Sequence, residues 1–159
     1  MNVSNLNTWA DPDSILAALY QVPREPQHEL KPSLVALLDH DDPDIREEAL
    51  RILITRWKDK AYRERAVQML VLDESPNVRG AAAYALAAVV NDSTRAQHAN
   101  MLLRSLVNDD EDLTVRAAVY DALLILHRRP TFPTKRRDFD PRVDVDWRWI
   151  ESLQHKSSG

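Results

Sequence analysis

Residues able to do chemistry fall in clusters in this chain. Asp39, Asp41, Asp42 and Asp44 form one knot of carboxylates, and Asp109, Asp110, Glu111 and Asp112 form another. Such groups can hold calcium or share acid and base work. The calcium-loop pattern needs a central glycine and a closing Glu, which both stretches lack. Each stands just before an expected helix start, where carboxylates cap free amides and meet the positive end of the helix dipole. Capping is therefore the role read for them. The five histidines, His28, His40, His98, His127 and His155, never fall four apart on one face, so no metal site is expected. The absence of cysteine excludes disulfides, thiolate metal sites and a thiol nucleophile. The two glycines, Gly80 and Gly159, are too few for a phosphate loop, a dinucleotide fingerprint or a serine nucleophile elbow. No cofactor and no catalytic residue are assigned.

Three arginines are different, because their spacing repeats. Arg46, Arg79 and Arg116 lie 33 and 37 residues apart, and Leu53, Leu86 and Leu123 keep the same intervals. Each arginine closes an acidic turn: DHDDPDIR from Asp39, DESPNVR from Asp73 and DDEDLTVR from Asp109. Each turn follows one apolar helical run and opens another, so the unit is a pair of helices used three times. One arginine per unit could form an anion track. The acid that accompanies it in every turn favours a structural ladder instead. In that ladder each arginine pairs with the turn acid six or seven residues earlier (Asp39, Asp73, Asp109) and, along the stack, with its neighbour's acid.

The pattern resembles the HEAT repeat and its relatives among bacterial lyase-type repeat proteins. The likeness rests on the turn acids, on Pro43 and Pro76, on Ile45, Val78 and Val115, and on the three arginines. It covers roughly residues 33–128. The third unit departs from it: Leu113 replaces the proline, Val119 stands where Ala49 and Ala82 stand, and the turn is one residue longer than the second. The resemblance implies an all-α, short right-handed α-solenoid of about three hairpins. It also implies a protein that holds another macromolecule along the inner row of helices.

Composition agrees with one all-α domain: 159 residues, 44% hydrophobic and 29% charged, with Ala and Leu prominent. The solenoid is expected over residues 1–128, with repeats at about 33–58, 60–90 and 93–128. Asp11 and Pro12 start a cap helix over 12–20, and prolines then break the chain before residue 33. Second helices are expected near 44–58, 77–90 and 114–128, paired with first helices near 33–39, 60–72 and 93–107. Residues 129–159 are read as a basic extended arm and a short helix whose Trp147 and Ile150 dock on the last repeat, with SSG as a tail. No apolar run is long enough to span a bilayer, and the polar start MNVSNLNTW is not a secretory signal, so a cytoplasmic location is expected.

If Ile45, Ala49 and Leu53 face the core, equivalent outward positions of the second helices form columns. These are Glu47, Gly80 and Ala117; Glu48, Ala81 and Ala118; Arg51, Tyr84 and Asp121; Thr55, Ala88 and Ile125. Arg51, Tyr84 and Asp121 are the centre of the expected partner-binding face, with Glu47, Glu48, Thr55, Gly80 and Ile125 around it. From the arm, Arg136, Arg137 and an exposed Trp149 are added as a candidate hot spot.

The net charge of −4 disfavours a general nucleic-acid binder. The positive charge gathers instead in the arm, at Arg128, Arg129, Lys135, Arg136, Arg137 and Arg142. Two functions of different class follow. The favoured one is a non-enzymatic, monomeric protein-binding module, such as an inhibitor or immunity protein against a bacterial toxin, or an adaptor. The alternative is an enzyme on the same scaffold, an alkylpurine DNA glycosylase or a bilin lyase subunit. Tyr84, Tyr120 and Asp121 would suit the glycosylase, but the inner columns offer it only Arg51 as a base.

Overall fold

The computed structural model of the chain describes residues 11–131 and 139–156, without the side chains of residues 155 and 156. Among these residues all regular structure is helical. The fold is a short α-solenoid built from three stacked hairpins.

Helix α1 (Pro12–Tyr20) begins where Asp11 accepts a hydrogen bond from the Ser14 amide at 3.0 Å, and it buries Ile15, Ala18 and Leu19. The first hairpin is α2 (Lys31–Leu37) with α3 (Pro43–Leu50). Pro32 and Pro43 sit in the first turn of their helices, where a missing amide costs nothing. The second hairpin is α4 (Arg63–Leu72), entered through a 3₁₀ turn at Lys60–Tyr62, with α5 (Pro76–Ala88). The third is α6 (Asp92–Val107) with α7 (Leu113–Leu126). Asn91 and Thr94 form a reciprocal capping box at the start of α6.

Helices α3, α5 and α7 stack side by side as the inner row, each backed by its own first helix, while α1 covers α3. One continuous core runs from Ile15 and Leu19 through Leu53 and Leu86 to Leu123 and Ile150. Small residues let the inner row close up. A Cβ added at Gly80 on α5 would meet the Ala118 Cβ of α7 at 3.2 Å, tighter than ordinary contact. Leu113, standing where the other two turns have proline, occupies the first position of α7 and is half exposed.

The inner helix of the first hairpin does not end as an ordinary α-helix. Beyond Leu50 it widens into a π-helical turn, Arg51–Arg56, in which the Trp57 amide bonds the Ile52 carbonyl at 2.9 Å. The wider turn brings Arg56 back over Glu48, eight residues earlier, at 3.2 Å. It also sends the Trp57 ring nitrogen to the Pro23 carbonyl at 3.1 Å. Lys58 and Arg128 then take φ of 57° and 54° to close the first and third inner helices, a left-handed ending that usually falls to glycine.

Of the expected extended arm, residues 132–138 lie outside the described residues, and one part differs from the expectation. Pro141–Asp144 forms a short helix, α8, started by Asp140, whose carboxylate accepts from the Arg142 amide at 2.9 Å. Helix α9 (Trp147–Lys156) packs on α6, and α8 on α7. Val145 and Ile150 are buried, and the Tyr120 hydroxyl accepts from the Asp146 amide at 3.1 Å.

Candidate functional site

The stacking arginines occupy one edge of the inner row. Arg46 donates from Nε to Asp73 Oδ2 at 3.0 Å and from Nη2 to Asp73 Oδ1 at 2.8 Å, across 27 residues and into the next hairpin. Its Nη1 donates to the carbonyls of His40 and Asp41, both at 2.8 Å. Arg79 repeats the arrangement, with Nη1 on the carbonyls of Asp73 and Glu74 and Nη2 on Glu111 Oε1 at 2.8 Å. The ladder therefore differs from the sequence reading in two ways. Within a turn, Arg46 and Arg79 satisfy carbonyl oxygens rather than the acid side chain. Along the stack, Arg79 meets Glu111, five residues before Arg116, rather than Asp109, whereas Arg46 meets Asp73, six residues before Arg79. Asp39 meets Arg65 of α4 instead of Arg46, while Asp109 pairs with Arg116 of its own hairpin at 3.0 Å.

Burial alone would raise the Asp73 carboxyl, but hydrogen bonds from Arg46 and the Ser75 amide, with the Arg46 and Arg79 charges, hold it below its ordinary value. His98, fully buried on α6, is lowered by desolvation, so its ring stays neutral to lower pH than usual.

Much of the expected columns lines a cleft of about 630 Å³ between the inner helices, but Asp121, expected at its centre, and Ala88 lie outside that lining. Its floor is Gly80, Ala81, Ala117 and Ala118, with Glu47, Arg51 and Thr55 on one side and Tyr84 above. Asn77, Leu113, Thr114 and Phe139 complete the lining. Asn77 and Thr114 lie three residues before Gly80 and Ala117, one helical turn back along the same columns, so the repeat spacing already carried them. Phe139 carried no such signal, because only the return of the C-terminal segment brings it there.

Of the expected centre, Tyr84 and Asp121 come together: the Tyr84 hydroxyl donates to Asp121 Oδ2 at 2.7 Å. Arg51 stands apart, its Nη2 on Glu48 Oε2 at 2.7 Å. Glu48 does not face outward as expected. It is buried, and it ties Arg51 and Arg56 to the end of the first hairpin. Glu47, in contrast, is half-buried in the cleft wall with no ion pair among the described residues. Burial, opposed by the nearby Arg51 charge, raises its carboxyl above the ordinary value.

Ile125 is exposed but lies outside the cleft lining. Trp149 is not an exposed hot spot: its ring packs edge-on against Tyr120 and His127, with the Arg129 guanidinium 4.5 Å over its face. The charge beside it is real, but the ring is held by its own chain. Arg136 and Arg137 lie outside the described residues. Among the described residues no three His, Asp or Glu side chains gather as a metal ion would need, and no helix is long and apolar enough to cross a membrane.

Three hairpins, an arginine–carboxylate edge and a small-residue inner face make one repeating architecture, and the family model for HEAT repeats matches residues 31–124. The chain belongs to the HEAT-repeat family. No curated protein and no solved structure matches it. The matched region runs from the start of α2 to near the end of α7. It thus contains all three hairpins, while α1, α8 and α9 flank the HEAT array. HEAT arrays commonly serve as scaffolds for protein interaction, because stacked inner helices present an extended preformed surface.

Proposed function

We propose that this HEAT array is a non-catalytic binding module that receives a segment of another protein in the inner-row cleft. The carrying observation is Glu47: a half-buried carboxylate without an ion pair among the described residues, beside a floor of Gly80, Ala81, Ala117 and Ala118. A carboxylate held this way gains most from a cation supplied by a partner. The small floor admits backbone at close range. Tyr84 adds a ring at the centre, a residue type enriched where interfaces bind tightly. The partner segment is therefore extended or helical, small or apolar on one side, with a Lys or Arg placed over Glu47.

An array that receives a partner segment in its inner cleft acts by occupying that partner. Inhibition of an enzyme is the fitting role, as by an immunity protein covering a bacterial toxin, with an adaptor as the related form. The acidic balance of the chain speeds capture of a basic partner. For a DNA glycosylase the same surface is poorly charged, since Arg51 is held by Glu48.

Capture from a lysate of the source organism, with identification of what is retained, tests the proposal. Glu47→Gln is expected to weaken the retained complex about tenfold, the usual scale for a desolvated charge pair. The same substitution should raise the melting temperature of the free protein by about 2 °C. The sign follows from the raised carboxyl: its ionised form is disfavoured in the fold at neutral pH, and that deficit vanishes once the pH falls below the ordinary Glu value. Weaker binding in a more stable protein marks a site kept for function. Retention of no specific protein, or a complex indifferent to Glu47, sinks the proposal.

A further inference from the structure

The arginine ladder has an end, and the end is incomplete. Arg46 and Arg79 each give one edge of the guanidinium to a carboxylate of the following hairpin. Arg116 has no following hairpin. Its Nη1 takes Asp109 Oδ1 at 3.0 Å, and its Nε is buried without a hydrogen-bond partner among the described residues. The desolvation is not relieved by exposure: Arg116 is 6% exposed, against 8% for Arg46, whose Nε and Nη2 are both bonded to Asp73. A buried donor left unmade costs the fold free energy that a matching acceptor would recover.

The vicinity of Arg116 has room for that acceptor. A cleft of about 870 Å³ lies where α7 meets the C-terminal segment, lined by Arg116 and Arg142, by Asp109 on the Nη1 side of Arg116, and by Leu113, Phe139 and Trp147. Arg142 makes no ion pair among the described residues and adds a second positive charge. Asp140, also in the lining, is occupied in capping the Arg142 amide.

We infer that Arg116 and Arg142 form a carboxylate-binding site at the C-terminal end of the ladder, taking an Asp or Glu side chain from another protein molecule. The fold itself shows what such an arginine binds, since its two equivalents hold Asp73 and Glu111. The site is separate from the inner-row cleft, and its occupant has the opposite charge to the one placed over Glu47. A partner reaching both presents a cation to the first hairpin and an anion to the edge of the third.

The arginine Nε–Hε resonances of the ¹⁵N-labelled full chain provide the test, with succinate as the probe and chloride used to hold ionic strength constant. The Arg116 resonance is expected to shift saturably, with a dissociation constant on the order of 10 mM, while Arg46 and Arg79, already carboxylate-bound, stay in place. Arg142→Gln should weaken the response about threefold, the scale of an exposed charge. If concentrating the protein without succinate gives the same shift, the carboxylate comes from a second copy. If only succinate gives it, the site takes a carboxylate and a second copy of this chain is not its source. An Arg116 resonance that stays fixed, or that moves as much with chloride, overturns the inference.

Discussion

Asp73 joins two hairpins through a single side chain. Its carboxylate accepts two hydrogen bonds from Arg46 and one from the Ser75 amide at 2.9 Å, and it is nearly buried. Removing one partner of such a pair leaves an uncompensated charge, so Asp73→Asn is expected to cost about 3 kcal/mol at neutral pH. The pH dependence has a definite sign. The folded-state value lies below the ordinary one, so the stabilisation is complete above the unfolded value near 3.8 and is lost as pH falls through the folded value. Urea midpoints for wild type and Asp73→Asn should therefore converge on acidification, and a gap that stays constant would show that Asp73 acts through packing alone.

At the scale of elements, the closest approach in the inner row is α5 on α7. Gly80 is the residue that permits it, with a prospective Cβ 3.2 Å from the Ala118 Cβ. Alanine there gains roughly 1 kcal/mol of helix preference over glycine, while Ala118, fixed to the α7 backbone, can give way only if the helices part. The two effects nearly cancel, so Gly80→Ala should lie within about 1 kcal/mol of wild type. Gly80→Val adds bulk without that compensation and is expected to lose about 2–3 kcal/mol, measured as a lower urea midpoint. It also fills the cleft floor, so partner capture should fall further than stability accounts for.

For the whole molecule, each hairpin contacts only its neighbours, and the ends need covers. Helix α1 supplies one against α3, and α8 with α9 supplies the other against α7 and α6. Ile150 is the buried anchor of the second cover, at 1% exposure. Ile150→Ala is expected to cost about 3 kcal/mol. In a quasi-linear stack the loss should appear locally: hydrogen exchange rises in α8, α9 and the end of α6, while α3 and α5 stay protected. Uniform loss of protection would mean that the array unfolds as one unit.

The repeat, the helical class and the column of Glu47, Gly80 and Ala117 were legible in the sequence because they rest on local periodicity. Arg46, Arg79 and Arg116 recur with Leu53, Leu86 and Leu123 at matching intervals, and one spacing rule places Glu47, Gly80 and Ala117 together on the inner face. What the sequence could not settle was which charge meets which. Spacing alone points Glu48 outward, but the π turn at Arg51–Arg56 swings Arg56 onto it and buries it. Arg79 takes Glu111 rather than Asp109, a choice among neighbouring turn acids that a shift of a few ångström decides and that leaves helical periodicity untouched. Trp149 and Phe139 were decided only when the C-terminal segment folded back across α7. The sequence by itself determined the unit and its repetition, since helix formation depends on neighbours a few residues away. The tertiary structure decided the pairs, the place of Phe139 in the cleft and the unfinished arginine, since these depend on how side chains meet across turns and between hairpins, as Arg46 meets Asp73 across 27 residues.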